Sequence, residues 1–167
     1  MQYKFLAMPP ITALLHTAND ALRLGRALEM LLPCNEILIV DHASQDSTLR
    51  IAREYGARIV AAEREIPGYY LGLARHEWIL CLEPVESITE NLQASLYEWA
   101  LMAAGQIAAA PAFSFSLREE TAEGWSALPM PQTRLVPRGW KQWRGRLPAD
   151  IASAPKLEGE LLRFTLP

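Results

Sequence analysis

The sequence predicts an α/β fold, with a mostly parallel sheet flanked by helices and an irregular C-terminal part. Short apolar runs that resemble strands alternate with segments of helical periodicity up to about residue 105. The clearest run is residues 37–40 (ILIV), which a helix-like segment and a second strand-like run follow. Strand, helix and strand in this order form a βαβ crossover, which joins parallel strands.

Two elements are predicted before the crossover. Residues 11–16 (ITALLH) form the first strand, and Asn19 or Asp20 caps the helix that follows it. Pro33 stops that helix, because proline cannot continue the backbone hydrogen bonding. The apolar residues with helical spacing are Ala21, Leu24, Leu28, Leu31 and Leu32.

The crossover helix has signals at both ends. Ser44 or Asp46 can accept the free N–H groups at its start near Ser47. Gly56 supplies the left-handed residue that ends it, and residues 57–61 begin the next strand. The order of these signals predicts a complete βαβ unit.

Histidines follow two of the predicted strands. Asp41 and His42 come directly after residues 37–40, and His16 ends the first strand. Ligands of open parallel sheets bind outside the carboxyl ends of the strands. Adjacent strands would therefore bring His16 and His42 together, either as part of a metal site, which needs further ligands, or as ordinary partly buried histidines.

The chain beyond the crossover continues the alternation. Residues 63–75 are a connection with about two helical turns near its end. Residues 77–84 (EWILCLEP) are strand-like and end at Glu83, and Thr89 or Ser87 caps a longer helix. One face of that helix carries Leu92, Leu96, Trp99 and Ala103.

The alternation of strand-like and helix-like segments becomes irregular after Gly105, although no linker separates the two parts. Residues 108–117 and 132–137 could form strands, whereas residues 118–131 between them are rich in turn formers and predict a loop. We therefore expect a single domain over residues 1–167.

The composition excludes several classes of protein. A formal net charge of −3 gives no overall attraction to nucleic acid. The two cysteines, Cys34 and Cys81, lie in apolar runs and predict buried free thiols in a reducing compartment. No apolar run reaches the roughly 20 residues of a membrane span, and no signal peptide is evident. We expect a cytoplasmic protein, either free or peripherally attached to a membrane.

Common catalytic motifs are missing. The sequence has neither the dinucleotide pattern G-x-G-x-x-G nor the phosphate loop, and Ser44 lacks the glycines of a hydrolase nucleophile. Residues 134–146 (RLVPRGWKQWRGR) contain five basic residues, two tryptophans and no acid. Such a segment either binds phosphate and sugar through guanidinium and indole groups or is a solvated loop whose tryptophans pack on the sheet.

Three blocks carry a resemblance to a known family: residues 14–20 (LLHTAND), 37–60 (ILIVDHASQDSTLRIAREYGARIV) and 77–86 (EWILCLEPVE). In order and spacing they resemble family 2 glycosyltransferases of the GT-A fold, best those acting on bacterial envelope polysaccharide and lipopolysaccharide. The matching positions are Thr17, Asn19, Asp41, Ser44, Asp46 and residues 53–60.

The resemblance implies a nucleotide-sugar donor and a sugar or lipid-linked acceptor as partners. Residues 1–105 would form the nucleotide-binding half, and residues 106–167 a reduced acceptor-side half. Asp41 would contact the nucleoside, and His42 would accept a hydrogen bond from the base where relatives carry an acid. The implied nucleotide-binding residues are His16, Thr17, Asn19, Asp41 and His42.

The resemblance also implies a divalent cation, Mn²⁺ or Mg²⁺, on the diphosphate of the donor. Relatives place two carboxylates at residues 83–85, whereas this chain has Glu83 followed by Val85, which leaves Glu83 and Glu86 as the candidate ligands. No catalytic base can be assigned with certainty, although Asp150 lies roughly where relatives carry an acid. Candidate phosphate or acceptor contacts are Arg134, Arg138 and Trp143.

Three functions remain open from the sequence. The first is a transferase that moves a sugar from a nucleotide donor to an envelope or polysaccharide acceptor. The second is a degenerate transferase fold that serves as a binding or assembly module, which Val85 and the missing base favour. The third is an unrelated small-molecule binder that shares only the βαβ layer.

Overall fold

The computed structural model describes residues 11–102 and 110–166. In these ranges the chain forms three α-helices, one 3₁₀ helix, a mixed sheet of nine strands and a separate two-stranded hairpin. The helices are α1 (Ala21–Glu29), α2 (Thr48–Glu54) and α3 (Glu90–Leu101), and the 3₁₀ helix is Tyr69–Leu73. The strands are β1 (Ile11–Thr17), β2 (Glu36–Asp41), β3 (Arg58–Ala61), β4 (Trp78–Leu82), β5 (Glu86–Ile88), β6 (Phe113–Thr121), β7 (Gly124–Ala127), β8 (Gln132–Pro137), β9 (Trp143–Arg144), β10 (Leu147–Pro148) and β11 (Lys156–Arg163).

The first half of the sheet is parallel, as the sequence predicts. The strand order is β3-β2-β1-β4-β8-β6-β11-β5, with β7 paired to β6. Strands β3, β2, β1 and β4 run parallel to one another. Strand β8 is antiparallel to both β4 and β6, and β11 is parallel to β6. The carboxyl ends of β1, β2 and β4 therefore share one edge of the sheet.

The two faces of the sheet are covered differently. Side chains from all three α-helices, such as Leu24, Ala52 and Leu96, belong to one core cluster. On the other face Tyr70, from the 3₁₀ helix, packs in a second cluster, and Trp143 and Leu147 from β9 and β10 pack against it. Strands β1 and β2 contribute to both clusters, because successive side chains point to opposite faces.

The predicted helix ends are partly confirmed. Gly56 has a φ of +75° just after α2, and Thr89 accepts a 3.2 Å hydrogen bond from the Leu92 N–H at the start of α3. Helix α1 begins after Asp20, but the Asp20 side chain does not cap it. Asp46 instead accepts from the Ala21 N–H at 3.2 Å. The predicted face of α3 is buried at Leu92, Leu96 and Trp99, and Ala103 lies outside the described residues.

The second half is more regular than expected. The predicted loop at residues 118–131 contains the end of β6, all of β7 and the turn between them. All four residues of β7 are exposed, so no alternation of apolar and polar residues marks that strand. Strand β11 was not predicted either, because its sequence KLEGELLR has charged residues and a glycine between its leucines.

Candidate functional site

Two histidines meet where β1 and β2 end. The two strands are in register with Thr17 opposite Asp41, so the residues just before and after this pair lie close together. Nδ1 of His16 is 2.9 Å from Nε2 of His42, and the ring centroids are 5.2 Å apart. The expectation that these histidines lie close together is therefore confirmed.

Arg146 determines how this pair shares its protons. The Arg146 guanidinium lies 3.3 Å from Nδ1 of His42, and arginine can only donate, so this nitrogen accepts. Nε2 of His42 then donates to Nδ1 of His16, and His16 carries its proton on Nε2. Both ring nitrogens of His42 are thus engaged within the protein, and the expected hydrogen bond from a base to His42 stays a prediction.

His16 is the member of the pair that borders open space. Burial and, to a smaller extent, the positive charge of Arg146 together lower the pKa of His16 from 6.5 to about 4. His16 is therefore a neutral ring at neutral pH, with one N–H group to donate. A group of this kind can recognise a carbonyl oxygen without carrying charge.

Asp41 holds the loop after β2 rather than facing the cleft. The residue is 5% exposed, and its carboxylate accepts from the hydroxyls of Thr17 and Ser44, each at 2.6 Å, and from the Ser44 N–H at 2.9 Å. Burial by itself raises the pKa of Asp41, but the hydrogen bonds from Ser44 and Thr17 outweigh it and keep the pKa below its usual value. Asp41 and Thr17 are engaged with each other in this buried network, and their expected contact with a nucleoside stays a prediction.

Asn19 has a similar positioning role. Its side-chain oxygen accepts from the Gln45 N–H at 2.8 Å, and its own N–H donates to the Ser44 hydroxyl at 2.9 Å. Asn19 adopts a left-handed φ of +56°, which asparagine tolerates better than most residues. It ties the loop after β1 to the loop after β2, and the expected role in nucleotide binding is indirect at most.

A cleft of about 260 Å³ opens beside His16. Its walls come from the end of β1, the connection before the 3₁₀ helix, the 3₁₀ helix itself and the hairpin of β9 and β10. The polar and aromatic side chains that line it include His16, Glu65, Tyr70, Trp143 and Arg146. A second cavity, of about 410 Å³, lies next to it and shares Leu14, His16 and Arg146.

The hairpin of β9 and β10 carries the aromatic and basic side chains of the cleft. Its two-residue turn is Gly145 and Arg146, and Gly145 has the positive φ of +64° that such turns need. The indole of Trp143 lies so close to Gly68 that an added Cβ there would be 2.9 Å from its Nε1. Trp143, a predicted phosphate or acceptor contact, therefore lines the cleft and is held there by packing.

Glu65 faces the hairpin across the cleft. Its Oε1 is 2.8 Å from the Arg146 guanidinium and 3.7 Å from Nδ1 of His42. The hydrogen bond from Arg146 lowers the pKa of Glu65. Glu65, Tyr70 and Arg146 were not singled out from the sequence, although the basic segment 134–146 pointed to the region that contains Arg146.

The second cavity borders the position where a metal ion was expected. It is lined by residues 82–85 and by Arg144, Arg146 and Leu147. Glu83 is partly exposed, and burial together with the charge of Glu86 raises its pKa. Val85, two residues further on, has no ligating atom.

Glu86 is not available to a metal ion, which corrects its assignment as a ligand. The residue is 0% exposed, and its two oxygens accept from Arg134 at 2.6 and 2.8 Å. Arg163 and the Glu83 N–H also donate to this carboxylate. Although burial alone raises the pKa of Glu86, the charge of Arg134 outweighs it and the pKa is lowered. The same pair corrects the assignment of Arg134 to phosphate binding, because its side chain is only 1% exposed.

The side chains near this cavity offer a divalent cation few ligands. In residues 11–102 and 110–166, no group of three or more His, Cys, Asp or Glu side chains is arranged to hold a metal ion. Protein sites for Mn²⁺ or Mg²⁺ use oxygen ligands, commonly one or two carboxylates with the substrate phosphates. Glu83 is the one carboxylate among the residues that line this cavity.

Two further predicted residues lie away from the cleft or are engaged elsewhere. Arg138 lies at the amino end of β4, where it donates to the Ala74 carbonyl at 2.9 Å and pairs with Glu77. This position corrects its assignment as a phosphate or acceptor contact, since the cleft is at the opposite end of the sheet. Asp150 accepts from the Thr133 N–H at 2.8 Å.

None of the helices in the described part of the chain combines the length and the apolar character needed to cross a membrane.

Comparison with known proteins supports the resemblance seen in the sequence. The chain is 30% identical over 93 residues to an uncharacterized glycosyltransferase of Rickettsia felis, a match that covers 52% of this chain and 32% of that protein. No family model matches the chain. The chain thus spans about a third of the length of this curated relative.

Solved glycosyltransferase structures share the fold. S. aureus TarS residues 1–349 in complex with UDP-GlcNAc superposes with a TM-score of 0.52 at 18% identity, covering 72% of this chain and 37% of TarS. The UDP complex of the same fragment gives a TM-score of 0.50 at 16% identity, covering 72% and 38%. The predicted GT-A-like α/β fold and the resemblance to glycosyltransferases are confirmed at the level of the fold.

Proposed function

We propose that this chain, which has the GT-A fold of glycosyltransferases, binds a nucleotide-sugar donor in the cleft beside His16 and transfers the sugar to an envelope or polysaccharide acceptor. The relative with 30% identity is named a glycosyltransferase, and TarS was solved with UDP-GlcNAc. Both names belong to longer proteins, so donor and acceptor are part of the proposal.

The observation that carries the proposal is the neutral His16 at the edge of an aromatic cleft. Its Nε2–H is a donor for a carbonyl oxygen of a nucleobase, and its partner His42 keeps it in this tautomer. Tyr70 packs edge-on against His16, with centroids 5.5 Å apart, and Trp143 forms part of the same cleft. Aromatic side chains beside a fixed neutral donor are suited to a planar heterocycle.

A second function, donor binding without turnover, is favoured by a specific observation. The position of the second expected metal ligand is Val85, and Glu86 is locked in its ion pair with Arg134. Stabilising the charge of the leaving phosphate is the main electrostatic task in sugar transfer. A chain that performs this task poorly would retain binding and lose catalysis.

The test is a thermal-shift series with UDP-, GDP- and CDP-sugars, each with and without Mn²⁺. A ligand that binds only the folded chain raises its melting temperature. His16→Phe should weaken the binding of the stabilising nucleotide by about tenfold, the value of one lost hydrogen bond. His76→Phe is the matched control, because His76 lines a different cavity near the amino ends of β2 and β4.

Product measurement then separates the two functions. Release of the nucleoside diphosphate, with a matching gain in acceptor mass, supports transfer. Stabilisation without product in any acceptor mixture supports binding alone. If no nucleotide sugar changes the melting temperature of the unmodified chain, both functions are wrong.

A further inference from the structure

We infer that this cleft neutralises the diphosphate of its donor with Arg144 and Arg146 in place of a divalent cation. The inference rests on the proposed nucleotide-sugar binding and assigns the residues that hold its charged part. It would make donor binding independent of metal ions.

The residues around the second cavity offer a cation few ligands. Glu83 is the carboxylate at its border, and Val85 offers no oxygen in its side chain. Glu86, the next acid along the chain, has both oxygens within 2.8 Å of Arg134. Freeing Glu86 for a metal would leave Arg134, which is 1% exposed, as an unpaired buried charge.

Two arginines occupy the same cavity. Arg144 and Arg146 both line it together with Glu83, and both are exposed. A guanidinium stays charged at any physiological pH, and its fork of N–H groups matches two phosphate oxygens. Arg144 and Arg146 flank Gly145 in a tight turn, which sets the distance between the backbone positions of the two arginines.

The cleft beside His16 and the second cavity meet at one arginine. Arg146 lines both the cleft beside His16 and the cavity beside Glu83. In a nucleotide sugar the diphosphate joins the nucleoside to the sugar. A base held near His16 would therefore place its diphosphate beside Arg146, with the sugar toward Glu83 and residues 84–85.

The charge of Glu83 should have opposite effects on diphosphate binding with and without a bound cation. Without a metal ion, Glu83 brings a negative charge close to an anionic ligand and repels it. Glu83→Gln should then strengthen diphosphate binding. If Glu83 instead held a cation, the same substitution should weaken binding and make it less dependent on Mn²⁺.

The experiment is calorimetric titration of the full chain with UDP and with uridine, in EDTA and in Mn²⁺. We expect the Kd for UDP to be the same in both buffers within about twofold. Arg144→Gln should weaken UDP binding about tenfold, while uridine binding changes less than about twofold, because Arg144 lines the second cavity but not the cleft beside His16. Arg53→Gln, at an exposed position of α2, is the control that removes the same charge elsewhere.

The results of these titrations separate the inferred role of the arginines from the proposed function. UDP binding that needs Mn²⁺, or that Arg144→Gln leaves unchanged, overturns the inference and leaves the proposed function standing. Weaker UDP binding by Glu83→Gln also overturns it. If neither UDP nor uridine binds, the inference is wrong for a uridine donor, and the thermal-shift series with GDP- and CDP-sugars decides the proposed function. Metal-independent UDP binding that is weakened in Arg144→Gln and unchanged in Arg53→Gln supports the inference.

Discussion

The buried ion pair between Glu86 and Arg134 can be tested by a single substitution, Glu86→Gln. Glutamine keeps the size of the side chain but removes its charge and replaces one acceptor oxygen with a donor. Arg134 would then remain charged and 1% exposed, without its bidentate partner. We expect the folded state to lose much of its stability, since the charge has no access to water.

The size of the loss follows from what the carboxylate accepts. Glu86 receives two hydrogen bonds from Arg134, one from Arg163 at 3.2 Å and one from the Glu83 N–H at 2.8 Å. Breaking a buried pair from one side costs about 3–5 kcal/mol. A domain of this size is stable by about 5–15 kcal/mol, so the variant should unfold far more readily.

Urea unfolding at pH 7 measures this loss as a fall in the free energy of unfolding at an unchanged m-value. Glu54→Gln, which breaks the exposed pair with Arg50 on α2, should change stability by less than about 0.5 kcal/mol. The double variant Glu86→Gln and Arg134→Met should recover part of the loss, because it removes the stranded charge. A change below about 1 kcal/mol in Glu86→Gln would refute the assignment of a structural ion pair.

The pH dependence should agree with the same assignment. The pKa of Glu86 is lower in the folded chain than in the unfolded chain, so the stability it contributes is present above the unfolded value. That contribution is lost as the pH falls through the folded pKa. Glu86→Gln should therefore flatten the acid side of the stability profile, and an unchanged acid limb would contradict the lowered pKa.

Three further substitutions test the cleft. Gly68→Ala should disturb the fluorescence of Trp143 and weaken nucleotide binding. Gly68 has a φ of +82°, and the new Cβ would lie 2.9 Å from the indole nitrogen of Trp143. Gly72→Ala is the control, because a Cβ at Gly72 would meet nothing within 4 Å. Asp41→Asn should lower the free energy of unfolding by about 1–3 kcal/mol in urea, since a buried acceptor becomes in part a donor; nucleotide affinity that falls without any loss of stability would show instead that Asp41 contacts the ligand. Between about pH 4 and 6.5, His16 binds a proton in the unfolded chain but not in the folded chain, so the free energy of unfolding should rise with pH. His16→Gln should flatten this rise. An equally steep profile in the variant would contradict the lowered pKa of His16.

The parallel half of the fold could be predicted because its signals are local. Residues 37–40 are apolar on both faces, as a strand covered on both sides requires, and Gly56 marks the helix end. Strands β7 and β11 carry no such signal, because β7 is wholly exposed and half of the residues of β11 are charged. Their places depend on long-range pairing, such as that of β11 with β5, which no local pattern encodes.

The candidate site divides in the same way. The meeting of His16 and His42 could be predicted, since parallel neighbours bring their carboxyl ends to one edge. The roles of Glu86 and Arg134 could not be predicted, because residues 48 positions apart look like separate surface charges until the sheet pairs β4 with β8. Asp41 was correctly placed at the strand end, but its burial depends on Ser44 and Thr17 closing over it.

The assignment of the donor's charge to the hairpin is consistent with how the helices begin. In many α/β folds a phosphate binds to the free N–H groups at a helix N-terminus. Here the carboxylate of Asp46 accepts from the Thr48 N–H of α2 at 2.9 Å and from the Ala21 N–H of α1 at 3.2 Å. A side-chain anion thus already engages one N–H group at the start of each helix. In the inferred site the positive charge for a diphosphate comes instead from the hairpin, where Arg144 and Arg146 line the cavities at this edge of the sheet.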